Sequence, residues 1–135
     1  MSTRYLLDTN TVSYAIKGEP RAVRSRLKSI AKSEVALSVF TEAELFYGLA
    51  CKPNATQLRH DVEGFLRSFQ ILQWNSAVAS SYGELRAAQK RKGRPLRHED
   101  LMIASHALAL GLTLVTRDAA FSFVEGLKTE DWTIS

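Results

Sequence analysis

The chain has 135 residues, of which 45% are hydrophobic and 24% charged, so a disordered chain is excluded and a packed core is expected. Eighteen Lys and Arg against 14 Asp and Glu leave a formal charge of +4, which permits a nucleic-acid partner without requiring one. The single cysteine, Cys51, excludes an intrachain disulfide and suits a reducing compartment. Neither a signal peptide nor a run of ~18 apolar residues is present, so we expect one cytoplasmic domain over residues 1–135, without a membrane contact.

Short apolar runs alternate along the chain with segments whose apolar residues recur at helical spacing. In chain order the sequence predicts a strand at 4–7, helices at 11–17 and 23–30, a strand at 35–39, helices at 41–51 and 58–69, a strand at 71–74, helices at 77–92 and 100–110, and a strand at 112–116. The tail around residues 132–134 is a candidate edge strand. This alternation predicts an α/β fold with a parallel sheet covered on both faces by helices.

Acidic residues stand where the predicted strands end. Asp8 ends the first strand, Glu42 and Glu44 begin the helix after the second, and Asp118 follows the fourth. Ligands of parallel α/β sheets bind at the carboxyl ends of the strands, so this edge is the place to expect a functional site.

Asp100 carries a second signal, because it shares one helix face with apolar residues. It lies three, four and seven residues before Ile103, Ala104 and Ala107, which places it on the side of the helix that faces the core. An isolated carboxylate there is costly unless it is capped, paired or bound to a cation. The order of the elements leaves open whether Asp100 reaches the same sheet edge as Asp8.

Each acid also has a purely structural alternative. Asp8 and Asp118 can each cap the helix that follows, and Asp100 can be a first-turn acid that the helix dipole stabilises. Residues 41–44, Thr-Glu-Ala-Glu, fit a capping box in which Glu44 folds back on the helix start. Glu42 can be a solvated acid of the first turn.

Together the acids suggest a metal-dependent reaction. Several carboxylates around one crevice repel each other, and a hard divalent cation relieves that repulsion. An all-oxygen set suits Mg²⁺ or Mn²⁺, which neutralises charge on a phosphoryl group and activates water, so hydrolysis of a phosphodiester is the natural reaction. The three histidines lack the spacing of a zinc motif such as H-E-x-x-H.

Basic residues cluster ahead of Asp100. Between residues 86 and 97 there are six cationic side chains and no acid, namely Arg86, Lys90, Arg91, Lys92, Arg94 and Arg97. A solvated helix end is the structural alternative, and steering of nucleic-acid phosphates is the functional one. Arg117, beside Asp118, is a candidate for contact with substrate or for pairing with the acids.

Five stretches in this order resemble the PIN-domain ribonucleases of the VapC toxin type, the nuclease half of VapBC toxin–antitoxin pairs. They are residues 6–10 (LLDTN), 38–48 (SVFTEAELFYG), 93–95 (GRP), 100–107 (DLMIASHA) and 114–118 (LVTRD), and the tail at 126–132 is also similar. The resemblance implies a three-layer α/β/α fold whose acids bind Mg²⁺ or Mn²⁺ and cut RNA.

The resemblance also assigns roles to individual residues. It implies that Asp8, Glu44 and Asp100 are catalytic acids that hold the metal, and that Asp118 occupies a fourth position that is acidic in some members. Thr9 and Asn10 match positions that orient the acids by hydrogen bonds.

A VapB-type antitoxin whose tail lies across the active site, a homodimer and an RNA substrate are the partners that the resemblance implies. Transfer RNA, especially an anticodon stem-loop, ranks ahead of a ribosomal RNA loop or messenger RNA. Five residues either furnish an apolar contact surface or belong to the core, namely Phe40, Leu45, Phe46, Tyr47 and Leu49. Cys51 is expected to be a small buried residue.

Two other functions stay open from the sequence. A phosphotransfer enzyme would use Asp8 as its nucleophile, although the third residue of the D-x-D pattern is Asn10. A non-catalytic RNA-binding or regulatory module on the same fold is the second alternative, because a fold does not fix a function.

Overall fold

A computed structural model describes residues 2–94 and 96–134. The strands are β1 (Tyr5–Leu7), β2 (Val35–Ser38), β3 (Gln70–Leu72), β4 (Thr113–Val115) and β5 (Thr129–Glu130). The helices are α1 (Thr9–Lys17), α2 (Arg21–Lys28), α3 (Val39–Cys51), α4 (Thr56–Ser68), α5 (Ser76–Arg91) and α6 (His98–Leu110), with 3₁₀ turns at Lys32–Glu34 and Ala119–Phe123. None of the helices in these ranges has the length and apolarity that crossing a bilayer requires.

The five strands form one parallel sheet in the order β3-β2-β1-β4-β5. At its centre, Leu6 of β1 lies opposite Ala36 of β2 and Leu114 of β4. Because the strands run in the same direction, the segments that follow β1, β2 and β4 leave the sheet at the same edge. The sequence prediction of a parallel α/β sheet is confirmed.

Alternating side chains of the sheet pack into two apolar cores, one on each face. Tyr5 and Leu7 belong to the core that α1, α2 and α4 cover, which includes Val12, Val23 and Val62. Leu6 belongs to the other core, under α5 and α6, with Leu85, Leu101, Ile103 and Leu114. This arrangement is the expected three-layer α/β/α fold.

Five helices (α1, α2, α3, α4 and α6) begin two residues before their predicted starts, and in α1 and α3 the cause is a polar side chain at the strand end that caps the helix. The Asp8 carboxylate accepts a hydrogen bond from Thr11 N at 2.8 Å and opens α1 at Thr9. The Ser38 hydroxyl accepts one from Phe40 N at 3.0 Å and opens α3 at Val39. An N-cap residue satisfies amide groups that the first helical turn leaves without a partner, so both strands pass into helices without a loop.

The C-terminal end of α1 is fixed by Arg24. Its Nε donates to the Ala15 carbonyl at 2.8 Å and its Nη2 to the Ile16 carbonyl at 2.7 Å. Gly18 ends the helix with φ of 81°, and a Cβ there would come within 2.8 Å of Arg24 Nη1. The positive φ favours glycine at this position, and the Arg24 guanidinium, which would have to shift for a Cβ, holds the helix whose first turn Asp8 caps.

Two predictions outside the main elements are wrong. The edge strand is Thr129–Glu130 and not residues 132–134, because Trp132 leaves the sheet to pack edge-on against Tyr5, with ring centroids 5.1 Å apart. Cys51 is exposed rather than buried, since Leu49 takes the core position and Cys51 lies two residues further around the helix. Pro95, which contributes to the predicted end of the fifth helix, lies outside the described residues.

Candidate active site

Four elements bring the predicted acids to the carboxyl edge of the sheet. Asp8 follows β1, Asp118 follows β4, and α3 and α6 carry Glu44 and Asp100. The negative charge of Asp100 acts on the carboxyl groups of both Asp8 and Glu44 and raises their pKa values. Asp100 therefore lies on the same side of the sheet as Asp8, which the order of elements alone left open.

Asp8 is the most enclosed of the acids, with 7% of its surface exposed. Burial raises the pKa of its carboxyl, the charge of Asp100 adds to the rise, and hydrogen bonds from Thr11 and Thr116 oppose it. Its backbone N–H donates to the Val115 carbonyl at 3.0 Å, which ties it to β4. The helix-capping alternative is realised here too, so one side chain both begins α1 and faces the acidic edge.

Glu44 is half-buried and held by Thr9, whose hydroxyl donates to Glu44 Oε1. The Thr9 and Thr41 hydroxyls are also hydrogen-bonded, at 3.1 Å. Burial raises the pKa of the Glu44 carboxyl, as do the charges of Glu99 and Asp100, while the Thr9 hydroxyl opposes the rise. Thr9 thus fixes the orientation of the Glu44 carboxylate, and its role in the site stays a prediction.

The capping box predicted for residues 41–44 does not form. Ser38 caps α3, so Thr41 lies in the first turn of the helix and Glu44 turns toward Thr9 rather than back to the helix start. The structural alternative for Glu44 is therefore wrong, because it placed the start of α3 too late. Asn10, the other predicted orienting residue, is exposed.

Asp100 is paired with a cation from its own helix start. Arg97 Nε lies 3.3 Å from Asp100 Oδ2 and Arg97 Nη2 lies 3.5 Å from Oδ1. The Asp100 side chain is 14% exposed and that of Arg97 71%, so the guanidinium covers the carboxylate from the solvent side. Ile103 and Ala104 are buried, as the helix-face argument predicted.

Arg97 lies in the field of several acids. The hydrogen bond and charge of Asp100, followed by the charges of Glu99 and Asp118, hold the pKa of its guanidinium above the ordinary value. From the sequence, Arg97 is a candidate RNA-binding residue and Arg117 a candidate partner for the acids, whereas in the structure it is Arg97 that pairs with Asp100. The sequence contains the information needed to predict this pair, because a spacing of three residues places Arg97 and Asp100 on one helix face.

Asp118 is exposed and caps the turn that follows it. Its carboxylate accepts a hydrogen bond from Ala120 N at 2.9 Å, and its own N–H donates to the Thr116 hydroxyl at 3.0 Å. The capping alternative is thus the geometry observed. Thr116 connects Asp118 with Asp8, a role that the sequence analysis missed because it considered only the acids.

A buried histidine joins the two helices that carry acids. His106 of α6 is fully buried, and its Nδ1 lies 2.8 Å from the hydroxyl of Ser38, the residue that caps α3. The Ser38 hydroxyl oxygen also accepts from Phe40 N, so this one side chain joins the start of α3 to His106 of α6. Burial lowers the pKa of His106, and the backbone of Gln73 opposes the effect.

The donor chemistry of this edge fits a hard divalent cation. The carboxylates of Asp8, which is buried, and Asp100 repel each other. Carboxylate oxygens are the ligands that Mg²⁺ and Mn²⁺ prefer, so a cation bound there would relieve this repulsion. Over residues 2–94 and 96–134, however, no three side chains of His, Cys, Asp or Glu form a ready-made metal group. Thr9, Arg97 and Ala120 N hold Glu44, Asp100 and Asp118 respectively, so the ligand set stays a prediction.

The basic residues between α5 and α6 are exposed, as expected, but several have partners in the chain. Lys92 Nζ lies 3.3 Å from Glu125 Oε2, and the Arg94 guanidinium stacks 4.2 Å from the centre of the Phe123 ring. These contacts fasten the segment to the C-terminal part of the chain. The residues that the RNA-binding prediction names are all exposed, namely Lys90, Arg91, Lys92, Arg94, Arg97 and Arg117.

Comparisons with known proteins agree with this geometry. Residues 5–127 match the family model of the PIN domain. A relative from Shigella flexneri, named tRNA(fMet)-specific endonuclease VapC, is 36% identical over 130 residues, which cover 96% of this chain and 98% of the relative.

Solved structures show the same fold over nearly the whole chain. A chain of VapBC2 from Rickettsia felis, bound to a DNA fragment from its promoter, superposes with a TM-score of 0.89 at 34% identity, covering 96% of this chain and 99% of that one. A chain of DNA-bound VapBC from Salmonella typhimurium gives a TM-score of 0.90 at 34% identity, with coverage of 96% and 98%. Both structures are of VapBC complexes.

Proposed function

The chain belongs to the VapC ribonucleases of the PIN-domain family, and from this premise we propose that it is the toxin of a type II toxin–antitoxin pair. In this proposal it is an endoribonuclease that depends on Mg²⁺ or Mn²⁺ and hydrolyses phosphodiester bonds of RNA. The observation that carries the proposal is the buried, pKa-raised carboxyl of Asp8 within the field of Asp100 at the carboxyl edge of the sheet. A cluster of this kind is costly to fold, and a role in catalysis accounts for it.

Asp8 and Asp100 are the residues that we propose to hold the metal, with Glu44 and Asp118 beside them. When bound there, the cation supplies a Lewis acid that stabilises negative charge on the phosphoryl group. The displacement of Arg97 from Asp100 frees the carboxylate for this purpose, and the exposed side chain of Arg97 has room to move.

Groups of the protein itself orient the proposed catalytic acids and the substrate. Thr11 N and the Thr9 hydroxyl orient the carboxylates of Asp8 and Glu44, so both acids are held before substrate arrives. Glu44, whose pKa is raised, is suited to accept the proton of the attacking water at a carboxylate oxygen. The Arg97 guanidinium, once free of Asp100, has N–H groups for a phosphate oxygen of the substrate.

The RNA substrate that we favour is transfer RNA, cut in the anticodon loop, since the Shigella flexneri relative is named for tRNA(fMet). The exposed cations that would contact its phosphates are Lys90, Arg91, Lys92, Arg94, Arg97 and Arg117. We place the protein in the cytoplasm, where this substrate is found.

A VapB-type antitoxin is the proposed partner, because the similar solved structures are VapBC complexes. We also propose a homodimer. Phe46 and Tyr47 of α3 are 47% and 72% exposed and are available for such contacts, whereas Leu49 belongs to the core.

The first experiment is cleavage of total small RNA by the purified chain, free of antitoxin, with Mg²⁺ or Mn²⁺ and again with EDTA. Asp8→Asn tests the catalytic acid, and Asp61→Asn, an exposed acid of α4, is the matched control. We expect discrete products that disappear with EDTA and with Asp8→Asn but persist with Asp61→Asn, and the mapped ends identify the RNA. Absence of cutting with both metals would favour the non-catalytic RNA-binding module, and cutting by Asp8→Asn would overturn the catalytic assignment.

A further inference from the structure

A basic cavity lies between α5 and α6, beside the helix turn that carries Asp100. Its volume is about 420 Å³, within the range of ~300–1,000 Å³ that is usual for small-molecule sites. Its wall is formed by Arg86, Gln89, Lys90, Leu96, His98 and Leu101. His98 and Leu101 lie in the same first turns of α6 as Asp100, so the cavity and the acidic edge use the same end of this helix but share no residue.

The polar part of this wall carries positive charge and no acid. Arg86 and Lys90 are exposed and stand four residues apart, on one face of α5. Arg86 Nη1 donates to the Tyr82 hydroxyl at 3.1 Å, and that hydroxyl lies 3.3 Å from His98 Nδ1. The Tyr82 hydroxyl thus joins two of the polar side chains in the wall, and the net charge of this part of the wall is positive.

The inner part of the wall is apolar except for one amide. Leu101 is buried and Leu96 is half-buried, and both present aliphatic surface. Gln89 is only 2% exposed, and its Nε2 donates to the Arg94 carbonyl at 2.8 Å. Its Oε1 has no hydrogen-bond donor within residues 2–94 and 96–134 and is closed off from solvent, so it is a buried acceptor that a ligand N–H reaches only when the Gln89 side chain turns toward the cavity.

We propose that this cavity is a subsite for one nucleotide of the RNA substrate. The base lies against Leu96 and Leu101, an N–H of its edge donates to Gln89 Oε1, and its phosphate is bound by Arg86 and Lys90. A nucleotide is the ligand class that combines a planar apolar body, N–H donors and an anionic phosphate at this spacing. The inference rests on the proposed function, since it supplies a place for RNA next to the acids.

The first test follows the side-chain amide of Gln89 by ¹⁵N-edited NMR in the full chain during titration with nucleoside monophosphates. AMP, GMP, CMP and UMP each carry an N–H on the base and are expected to shift the Gln89 signal. The matched ligand is N6,N6-dimethyl-AMP, which keeps the phosphate and the ring but has lost that donor. We expect it to bind about tenfold more weakly than AMP, the usual effect of one unpaired buried acceptor. Equal affinities would overturn the role of Gln89.

The second test measures binding of an anticodon stem-loop RNA in the Asp8→Asn background, where cleavage does not interfere. Arg86→Ala/Lys90→Ala removes two cations from the cavity, and Arg59→Ala/Arg67→Ala removes two exposed cations from α4 on the other face of the sheet. We expect the dissociation constant to rise about tenfold or more for the first pair, and by less than about threefold for the control at the same salt concentration. Equal changes for the two pairs, or no RNA binding, would overturn the proposal.

The outcomes separate this inference from the proposed function. If AMP shifts the Gln89 signal but the cavity variants bind RNA as the control does, the cavity takes free nucleotides and the RNA subsite is wrong. RNA cleavage by the wild-type chain would then still stand. If the cleavage assay fails while RNA binding depends on Arg86 and Lys90, the subsite stands and the nuclease assignment falls.

Discussion

The acidic edge has an inner and an outer half, which are held in different ways. The inner acids, Asp8 and Glu44, are held by a helix amide and a threonine hydroxyl, and burial is the main cause of their raised pKa values. The outer acids, Asp100 and Asp118, are held by an exposed guanidinium and by a cap on a 3₁₀ turn. The inner half is therefore set by the packed core, and the outer half by partners that can leave.

This difference indicates which carboxylates lower the stability of the folded chain. Placing a carboxylate in the inner half opposes folding, because its charged form is poorly solvated and Asp100 repels it. The outer acids are close to solvent or to a cation and have no such cost. Substitutions that remove charge should thus stabilise the inner half and have little effect on the outer half.

The largest expected effect is that of Asp8→Asn. We expect cleavage to fall by about 100-fold or more, because a proposed metal ligand loses its charge. The amide oxygen of Asn still accepts from Thr11 N, so the variant keeps its helix cap and loses the buried charge, while the Thr116 hydroxyl has to turn and accept from the new NH2 group. Its Tm is therefore expected to rise by about 3–5 °C, the shift that ~1 kcal/mol produces in a domain of this size.

Activity assays and calorimetry at pH 7.5 test the two parts of this prediction separately. A lower Tm for Asp8→Asn would contradict the view that the inner half is folded at a cost. Asn75→Ala serves as a reference for losing a cap, since Asn75 accepts from Val78 N at the start of α5 and its removal should lower Tm.

His106 connects the halves, and His106→Leu is expected to weaken that connection. At pH 7.5 the free energy of unfolding should fall by about 1–3 kcal/mol, because the Ser38 hydroxyl loses its buried hydrogen-bond partner. Chemical denaturation of the wild type and the variant measures this change. A His106→Leu variant as stable as the wild type would show that the Ser38–His106 hydrogen bond does not contribute to the free energy of unfolding.

The same pair of proteins gives a pH prediction. Burial lowers the pKa of folded His106 below its ordinary value of 6.5, so the unfolded chain takes up the proton first as the pH falls. This histidine costs no stability well above pH 6.5, and the wild type loses stability as the pH falls from about 6.5 through the folded pKa. His106→Leu should show a shallower loss over that window, and parallel curves would contradict the assignment.

A smaller effect is expected from Arg97→Ala, which opens the outer half. The guanidinium pairs with Asp100 from an exposed position, where solvent screens the attraction and the pair is weak. Its removal should raise the affinity for Mn²⁺ by up to about fivefold in titration calorimetry at low salt. Arg94→Ala, which removes a cation that stacks on Phe123, is the control, and an equal gain there would point to net charge alone.

The smallest effect is predicted for Asp118→Asn. The amide oxygen can replace the carboxylate as acceptor for Ala120 N, and the group is exposed, so we expect Tm to change by less than about 1 °C. Calorimetry beside Asp8→Asn makes the contrast direct. A large rise in Tm for Asp118→Asn would remove the distinction between the two halves.

Most of the fold follows from local pattern, and most of the site geometry does not. The strand ends at Asp8 and before Asp118 were predictable because apolar runs stop there, and the parallel order then brings the acids to one edge. The start of α3 was missed because the cap is Ser38, the last residue of β2, whereas the apolar run extended the predicted strand to Val39. The strand β5 is only two residues long, too short to show an alternating pattern in the sequence, and it forms because it pairs with β4.

The partners of the acids depend on contacts between residues far apart in sequence. Thr9 with Glu44, and Ser38 with His106, are separated by 35 and 68 residues. Sequence spacing cannot reveal such pairs without the packing of α3 against its neighbours. Arg97 and Asp100 are the exception, because their spacing on one helix made the pair predictable.

The exposed Cys51 gives the chain a built-in attachment point for spectroscopy. It is the only cysteine of the sequence and follows Glu44 by seven residues on α3, a rise of about 10 Å along the helix. A thiol-reactive fluorophore or nitroxide therefore attaches at one place without any substitution. Two helical turns from the inner acids, it would report on Mn²⁺ or RNA arriving at that edge in the otherwise unaltered protein.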